Sequence, residues 1–231
     1  MIADIICLDF LLCHENISTT SSITERILYM KFPLFASFIV FTIWLNFQLA
    51  RRNHIDGDPI QKFWAREHRA NNTKKKPLDD LEYITIPLER LPMHILPEDE
   101  QIAEYQGTLK YLSEVSIVNF TGISNTDLKL KYGAPNLDRL SRFDQNYTVL
   151  ARTLNSWAAC LYEKGYVKEA REVLEYAVST RTDISASYKL LCTIYKEENT
   201  PEKIRNLHSV AESITSASKP TIVRILQESE I

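Results

Sequence analysis

The sequence predicts an all-α fold, with one N-terminal transmembrane helix leading into a short superhelical array of helical hairpins (α-α superhelix). Three observations predict it. Glycine and proline are scarce, 5 and 9 among 231 residues, which disfavours a β fold with its many turns. The run Phe32 to Ala50 holds no charged residue. From about Asp144 onward, similar residues recur when the chain is slid along itself by 34 positions.

Composition narrows the function before any motif is read. A hydrophobic content of 45% suffices for a real core, so the natural prior is one domain plus a tether. A net charge of -3 argues against general nucleic-acid binding, which needs a basic surface to displace counterions. Four cysteines form no CxxC pair. Cys7 and Cys13 lie in the N-terminal tail and Cys160 and Cys192 within apolar helical patterns, so a reducing compartment without a disulfide framework is expected.

The first 29 residues show no sustained period and contain the polar patch ISTTSS. Met30 precedes one cation and then the apolar run, so the sequence suggests that translation starts there. Residues 30–52 read as the anchor. As a helix, Phe32 to Ala50 would be about 28 Å long, close to the hydrocarbon thickness of a bilayer. Arg51 and Arg52 follow at once with no cleavage pattern between, which favours an uncleaved anchor over a signal peptide. Lys62, Arg66, Arg69, Lys74, Lys75 and Lys76 add to the positive charge on the C-terminal side, against Arg26 and Lys31 on the other. By the positive-inside rule the body is then cytoplasmic, in a single-pass protein of the cell membrane with the lipid bilayer as one partner.

Residues 53–96 read as a juxtamembrane stalk. Asp58 caps a helix whose first residue is Pro59 and which runs to about Ala70. Glu82 to Leu88 alternates like a short extended segment ended by Pro87, with no partner strand apparent. His54, His68 and His94 are scattered without a second ligand, so no metal site is expected. Residues 97–150 read as a helical entry segment. Ile102, Tyr105, Leu109, Leu112 and Val115 mark one face of a helix, and Glu98, Asp99 and Glu100 complement its N-terminal dipole. A short helix is expected from Asn125 or Thr126 to Gly133.

Residues 151–231 carry the 34-residue period. It aligns Leu154 with Tyr188, Trp157 with Leu191, Ala158 with Cys192, Leu161 with Tyr195, Gly165 with Asn199, Ala170 with Ile204 and Ala177 with Ala211. Gly165 and Asn199 are residue types that tolerate a left-handed turn between helices. Thr200 and Pro201 form a helix start, and PTIVRILQES reads as a terminal capping helix.

In Gly165, Ala170 and Ala177, and in Tyr188, Leu191, Tyr195 and Ala211, this stretch resembles the tetratricopeptide repeat family. The usual closing proline is missing, with Thr182 in its place. The whole arrangement also resembles single-span bacterial membrane proteins of unknown role. The resemblance implies a concave groove that receives peptides. Its lining would be Arg152, Asn155, Ala159 and Tyr162 from the first unit, with Ala186, Lys189, Thr193 and Lys196 from the second. Those residues suit an acidic peptide, and equally suit plain solvated helix faces. Ala159 stands where the family's two-carboxylate clamp uses asparagine. His208 is expected to be a hydrogen-bonded core histidine.

The functional expectation is a membrane-anchored adaptor or scaffold that holds a protein partner at the cytoplasmic face, with a structural subunit of a membrane complex as the alternative. An enzyme is the least favoured reading. No nucleophile elbow, phosphate-binding glycine loop or metal-ligand pair occurs, so no catalytic residue, cofactor or metal is expected.

Overall fold

The structure is a computed structural model that describes residues 35–51 and 59–229. The suggested start at Met30 and the cap at Asp58 lie outside those residues. The chain divides into two compact units, Met1–Ala65 and Arg66–Ile231. The described residues are helical or irregular and contain no strand, so the all-α class holds.

In the first unit, α1 covers 35–51, and its large apolar side chains, Phe38, Phe41, Ile43, Trp44 and Phe47 among them, are exposed. Among the described residues no helix is long and apolar enough to cross a membrane. The physical reason is length and polarity. Over the described residues, 35–51, the helix spans about 26 Å at the usual rise and includes Asn46, Gln48 and Arg51, short of the ~20 apolar residues a span requires; residues 32–34 of the predicted run lie outside the described residues. The transmembrane anchor over Phe32 to Ala50 is therefore corrected. The bilayer as partner, the single-pass topology and the membrane localisation inferred from it fall with it.

The second unit begins within α2 (Pro59–Asn71) and continues through α3 (Glu100–Ser113), α4 (Asn125–Tyr132), a 3-10 turn (Ala134–Asn136) and α5 (Leu137–Glu163). Four shorter helices follow, α6 (Val167–Ser179), α7 (Ser185–Glu197), α8 (Pro201–Ser213) and α9 (Lys219–Ser229). The end of α2 docks on α4 through charge. Lys129 Nζ donates to Glu67 Oε1 at 2.9 Å and to Asn71 Oδ1 at 2.7 Å, Thr126 donates to Glu67 Oε2 at 2.8 Å, and Arg66 pairs with Asp127.

Gly133 ends α4 at φ 93° and ψ 140°, a conformation nearly confined to glycine. A Cβ there would stand 2.3 Å from the Lys74 carbonyl oxygen, so the chain crosses itself where only a hydrogen fits. Ala134 N–H donates to Thr73 O and Lys76 N–H to Tyr132 O at that crossing, and the Asn136 amide bonds both Lys76 O and Tyr132 O at 2.8 Å. Leu78, Leu81, Val118, Phe120, Leu128, Tyr132, Leu140 and Phe143 close a small hydrophobic cluster over it.

α3 starts at Asp99, whose Oδ1 accepts from Ile102 N–H at 3.1 Å while Oδ2 accepts from Lys164 Nζ at 2.7 Å. The acidic group read from the sequence thus includes a true cap, which also fastens the start of α3 to the end of α5. α5 is the longest helix, with 27 residues. Leu140, Phe143, Tyr147, Leu150, Leu154, Trp157 and Leu161 are buried along it at alternating steps of three and four, one continuous apolar seam. The larger cluster forms on the C-terminal part of that seam with α3, α6, α7, α8 and α9. The extended segment lies against the same body, with Ile86 buried, Ile84 N–H on Ile117 O at 2.9 Å and the Tyr176 hydroxyl on Thr85 O.

The turns at Gly165 (φ 86°) and Asn199 (φ 58°) are left-handed. The repeat nevertheless does not carry over to the packing, which corrects the superhelical array. α6, α7 and α8 are each 13 residues long and joined by short turns, so a constant spacing follows from element lengths alone. The first hairpin is unlike the second. α5 is twice the length of α7, its first two turns, with Leu140 and Phe143, belong to the small cluster, and α7 packs more extensively on α9 than on its hairpin partner α8. Arg171 Nη1 reaches both oxygens of Glu198 at 2.9 and 2.7 Å, and Tyr195 and Lys203 reach Glu175, so α6 is tied to both α7 and α8 by charge.

Two outcomes follow. Replacing Gly133 by alanine is expected to cost about 3 kcal/mol or more, because a Gly-only conformation and a backbone clash add. Gly165→Ala, where a Cβ meets nothing within 4 Å, should cost only about 1–2 kcal/mol of left-handed strain. Urea midpoints of the two variants check the order. The second outcome concerns pH. The hydrogen bond from Lys164, helped by the Ile102 N–H, holds the Asp99 carboxyl below its ordinary 3.8. A depressed carboxyl stabilises the fold above that value and loses its contribution as pH falls through the folded-state value. Asp99→Asn should therefore be less stable than the native chain at neutral pH and approach it in strong acid, as measured by denaturation at both pH values.

Candidate functional site

The sequence-predicted lining residues divide in the structure. Asn155 Oδ1 accepts from Ser187 Oγ at 2.9 Å, and the Tyr162 hydroxyl donates to Glu197 Oε1 at 2.7 Å; both bonds bridge α5 and α7. Thr193 donates to Lys189 O on its own helix, and Ala159 is half-buried. Arg152, Lys189 and Lys196 are exposed, and none has a hydrogen-bonding or ion-pairing side-chain partner among the described residues. Arg152 and Ala186 line a cavity.

That cavity has a volume of about 400 Å³ and lies between the middle of α5, the turn from α6 to α7, and Thr121 and Ser218. Asp144, Tyr147, Thr148, Ala151 and Arg152 form its α5 wall, and Asp183, Ile184, Ser185 and Ala186 face them. The turn that carries Asp183 is held from three sides. Asn119 Nδ2 donates to Thr180 O at 3.1 Å and Arg181 O at 3.3 Å, the Tyr147 hydroxyl donates to Thr180 O at 3.2 Å, and the Tyr188 hydroxyl donates to Thr182 O at 2.9 Å. Arg181 takes a left-handed φ of 60° within this turn. Asp144 is placed by its helix and by the Phe120 N–H, which donates to Oδ1 at 3.2 Å. Gly122 comes so close to the turn between α8 and α9 that a Cβ would lie 2.5 Å from Thr215 Oγ1, which itself donates to Thr121 O at 2.8 Å. The walls are thus fixed by buried tyrosines and loop-to-loop bonds.

Burial, reinforced by the fields of Asp183 and Asp144, pushes the Tyr147 hydroxyl up to about 12. Tyr147 therefore stays protonated at neutral pH and donates to the turn. Burial also pushes the Cys160 and Cys192 thiols up, so neither presents a thiolate. Among the described residues no group of three metal-ligating side chains gathers, and His68 and His94 are exposed. A neighbouring depression of about 410 Å³ shares the Thr121 wall. Its charges, Arg181 and Glu82, pair with each other at 3.4 Å.

Asp144 and Asp183 escaped sequence reasoning. They are 39 positions apart, and nothing in their neighbourhoods signals that loops will bring them to one cavity.

No family model matches the chain, and neither the curated proteins nor the solved structures provide a match. The resemblance to tetratricopeptide repeats, and to single-span bacterial membrane proteins built around them, is therefore corrected. The unequal hairpins give the physical reason: equal helix lengths imitate the period without repeating the packing. With repeat and anchor gone, the membrane-tethered adaptor or scaffold loses both of its supports, as does the structural subunit of a membrane complex. What is shown is an all-α helical body.

The division of the predicted residues is measurable. Asn155→Ala and Tyr162→Phe each remove a bond between α5 and α7 and should cost about 1 kcal/mol. Arg152→Ala, at an exposed position, should stay within about 0.5 kcal/mol of the native chain. Chemical denaturation of the three variants checks this.

Proposed function

We propose that the helical body is a binding module for a small charged solute, held in the cleft between α5 and the turn before α7. One observation carries the reading. Arg152, without an ion-pair partner among the described residues, stands in a cavity of about 400 Å³ together with Asp144 and Asp183. Charges of both signs in one concavity, none with an ion-pair partner among the described residues, favour a ligand that supplies their complements. The volume falls in the lower part of the range of small-molecule sites, which suits a metabolite-sized solute. We place binding ahead of catalysis because both buried thiols are held protonated and the cavity contains no serine or cysteine hydrogen-bonded to a base. Of the residues first read as a peptide groove, Arg152 serves this cleft; Lys189, Thr193 and Lys196 do not line it.

Thermal unfolding of the whole chain in millimolar amino acids, diamines, dicarboxylates and sugar phosphates tests the reading. A solute at ten times its Kd stabilises by about 1.4 kcal/mol, roughly 3–6 °C for a chain of this size. Ala186 is exposed and lines the cleft, so Ala186→Trp should fill it without disturbing the core. At least one class should raise the midpoint of the native chain and leave Ala186→Trp unmoved. No shift with any class, or equal shifts in both chains, overturns the proposal.

A further inference from the structure

We infer that the solute is a free amino acid with a cationic side chain, an inference that rests on the cleft reading above. The cleft holds two carboxylates, Asp144 and Asp183, and one guanidinium, Arg152, which leaves one negative charge in excess. A ligand that neutralises every one of them carries two cations and one anion. A basic α-amino acid has that inventory: an α-ammonium, a side-chain cation and a carboxylate.

The alternatives each leave a charge opposed. A diamine satisfies the aspartates but leaves Arg152 without an anion. A dicarboxylate meets Arg152 at the cost of repulsion from both aspartates. A neutral zwitterion leaves one aspartate unpaired. In a partly enclosed site, where water screens less than in bulk, each mismatch is worth a measurable factor in affinity.

The placement of the groups agrees with the inventory. Arg152 projects from α5 into the cleft whose opposite wall is the first turn of α7, Ser185 and Ala186. No side chain caps that turn at Ile184, and it carries no acidic residue, so the carboxylate end of the ligand is favoured there. Asp144, Tyr147 and Asp183 line the same cavity, with Asp144 on the α5 wall and Asp183 on the turn that faces it. Ala151 and Ile184 supply apolar surface for a methylene stem, and Thr121, Thr148 and Ser218 supply hydroxyls at the rim.

Titration calorimetry on the whole chain at neutral pH tests this with four probes: L-lysine, L-norleucine, cadaverine and glycyl-L-lysine. Norleucine lacks the side-chain cation, cadaverine lacks the carboxylate, and the dipeptide displaces the amine by a peptide bond. Lysine should bind at least about tenfold more tightly than each of the others. Asp183→Asn should erase the preference for lysine over norleucine, and Arg152→Gln should erase the preference for lysine over cadaverine. Neither side chain has a hydrogen-bond partner among the described residues, and an unchanged urea midpoint verifies that both variants fold.

Norleucine or cadaverine binding as well as lysine overturns the charge assignment. Glycyl-lysine binding equally well overturns the free amino acid in favour of a peptide terminus. If lysine fails while another class shifts the native chain and spares Ala186→Trp, this inference falls and the cleft reading stands. If no class shifts it, both fall.

Discussion

One helix of 27 residues, α5, contributes to both hydrophobic clusters, and the helical body is arranged along it. At the usual rise it is about 40 Å long, and its stability comes mainly from the packing of its apolar face. Its seam from Leu140 to Leu161 is covered first by the crossing segments around Gly133 and then by α3 and the following helices. The two ends are pinned by different chemistry. Near the start of α5, the buried Asn136 amide joins two chain segments. At its end, the Lys164 ammonium holds the cap of α3.

That arrangement explains where the cleft falls. Asp144, Thr148 and Arg152 lie one turn apart on the polar flank of α5, beside the point where the small cluster gives way to the large one. The loops from Thr121, Thr180 and Ser213 meet there: α3, α4, α6 and α7 pack on α5, and α8 and α9 pack in turn on α7. Tyr147 and Tyr188 have a double part. Their rings fill the core, and their hydroxyls reach out of it to hold the turn that carries Asp183. A polar site on loops is thereby tied to the rigidity of the hydrophobic centre.

Much of the local structure could be read from the sequence, because it depends on neighbours in the chain. Pro59 opens a helix, Gly133 stops one, and Gly165 and Asn199 make left-handed turns, each for reasons of its own backbone chemistry. The errors came from inferences that needed distant contacts. A constant spacing of 34 looked like repeated packing, yet three helices of 13 residues produce the same spacing with unequal neighbours. The apolar run looked like a membrane span on length, although the described helix falls short. Asn155 and Tyr162 stood at plausible groove positions, but their polar ends are taken by Ser187 and Glu197 on the next helix, which no single segment reveals. Arg152 was legible as an exposed cation; Asp144 and Asp183 were not, because only the folded chain brings them to it.

Trp157 sits at the centre of the α5 seam, fully buried, with its indole Nε1 in no hydrogen bond among the described residues. The other two tryptophans, Trp44 and Trp64, belong to the first unit and are more than half exposed. The three indoles therefore occupy two optical environments. A dry, unbonded indole emits at the blue edge of tryptophan fluorescence, and solvated ones emit toward the red. The protein thus carries a native label for its helical body: the blue component follows the packing around α5, while the red component belongs to the first unit.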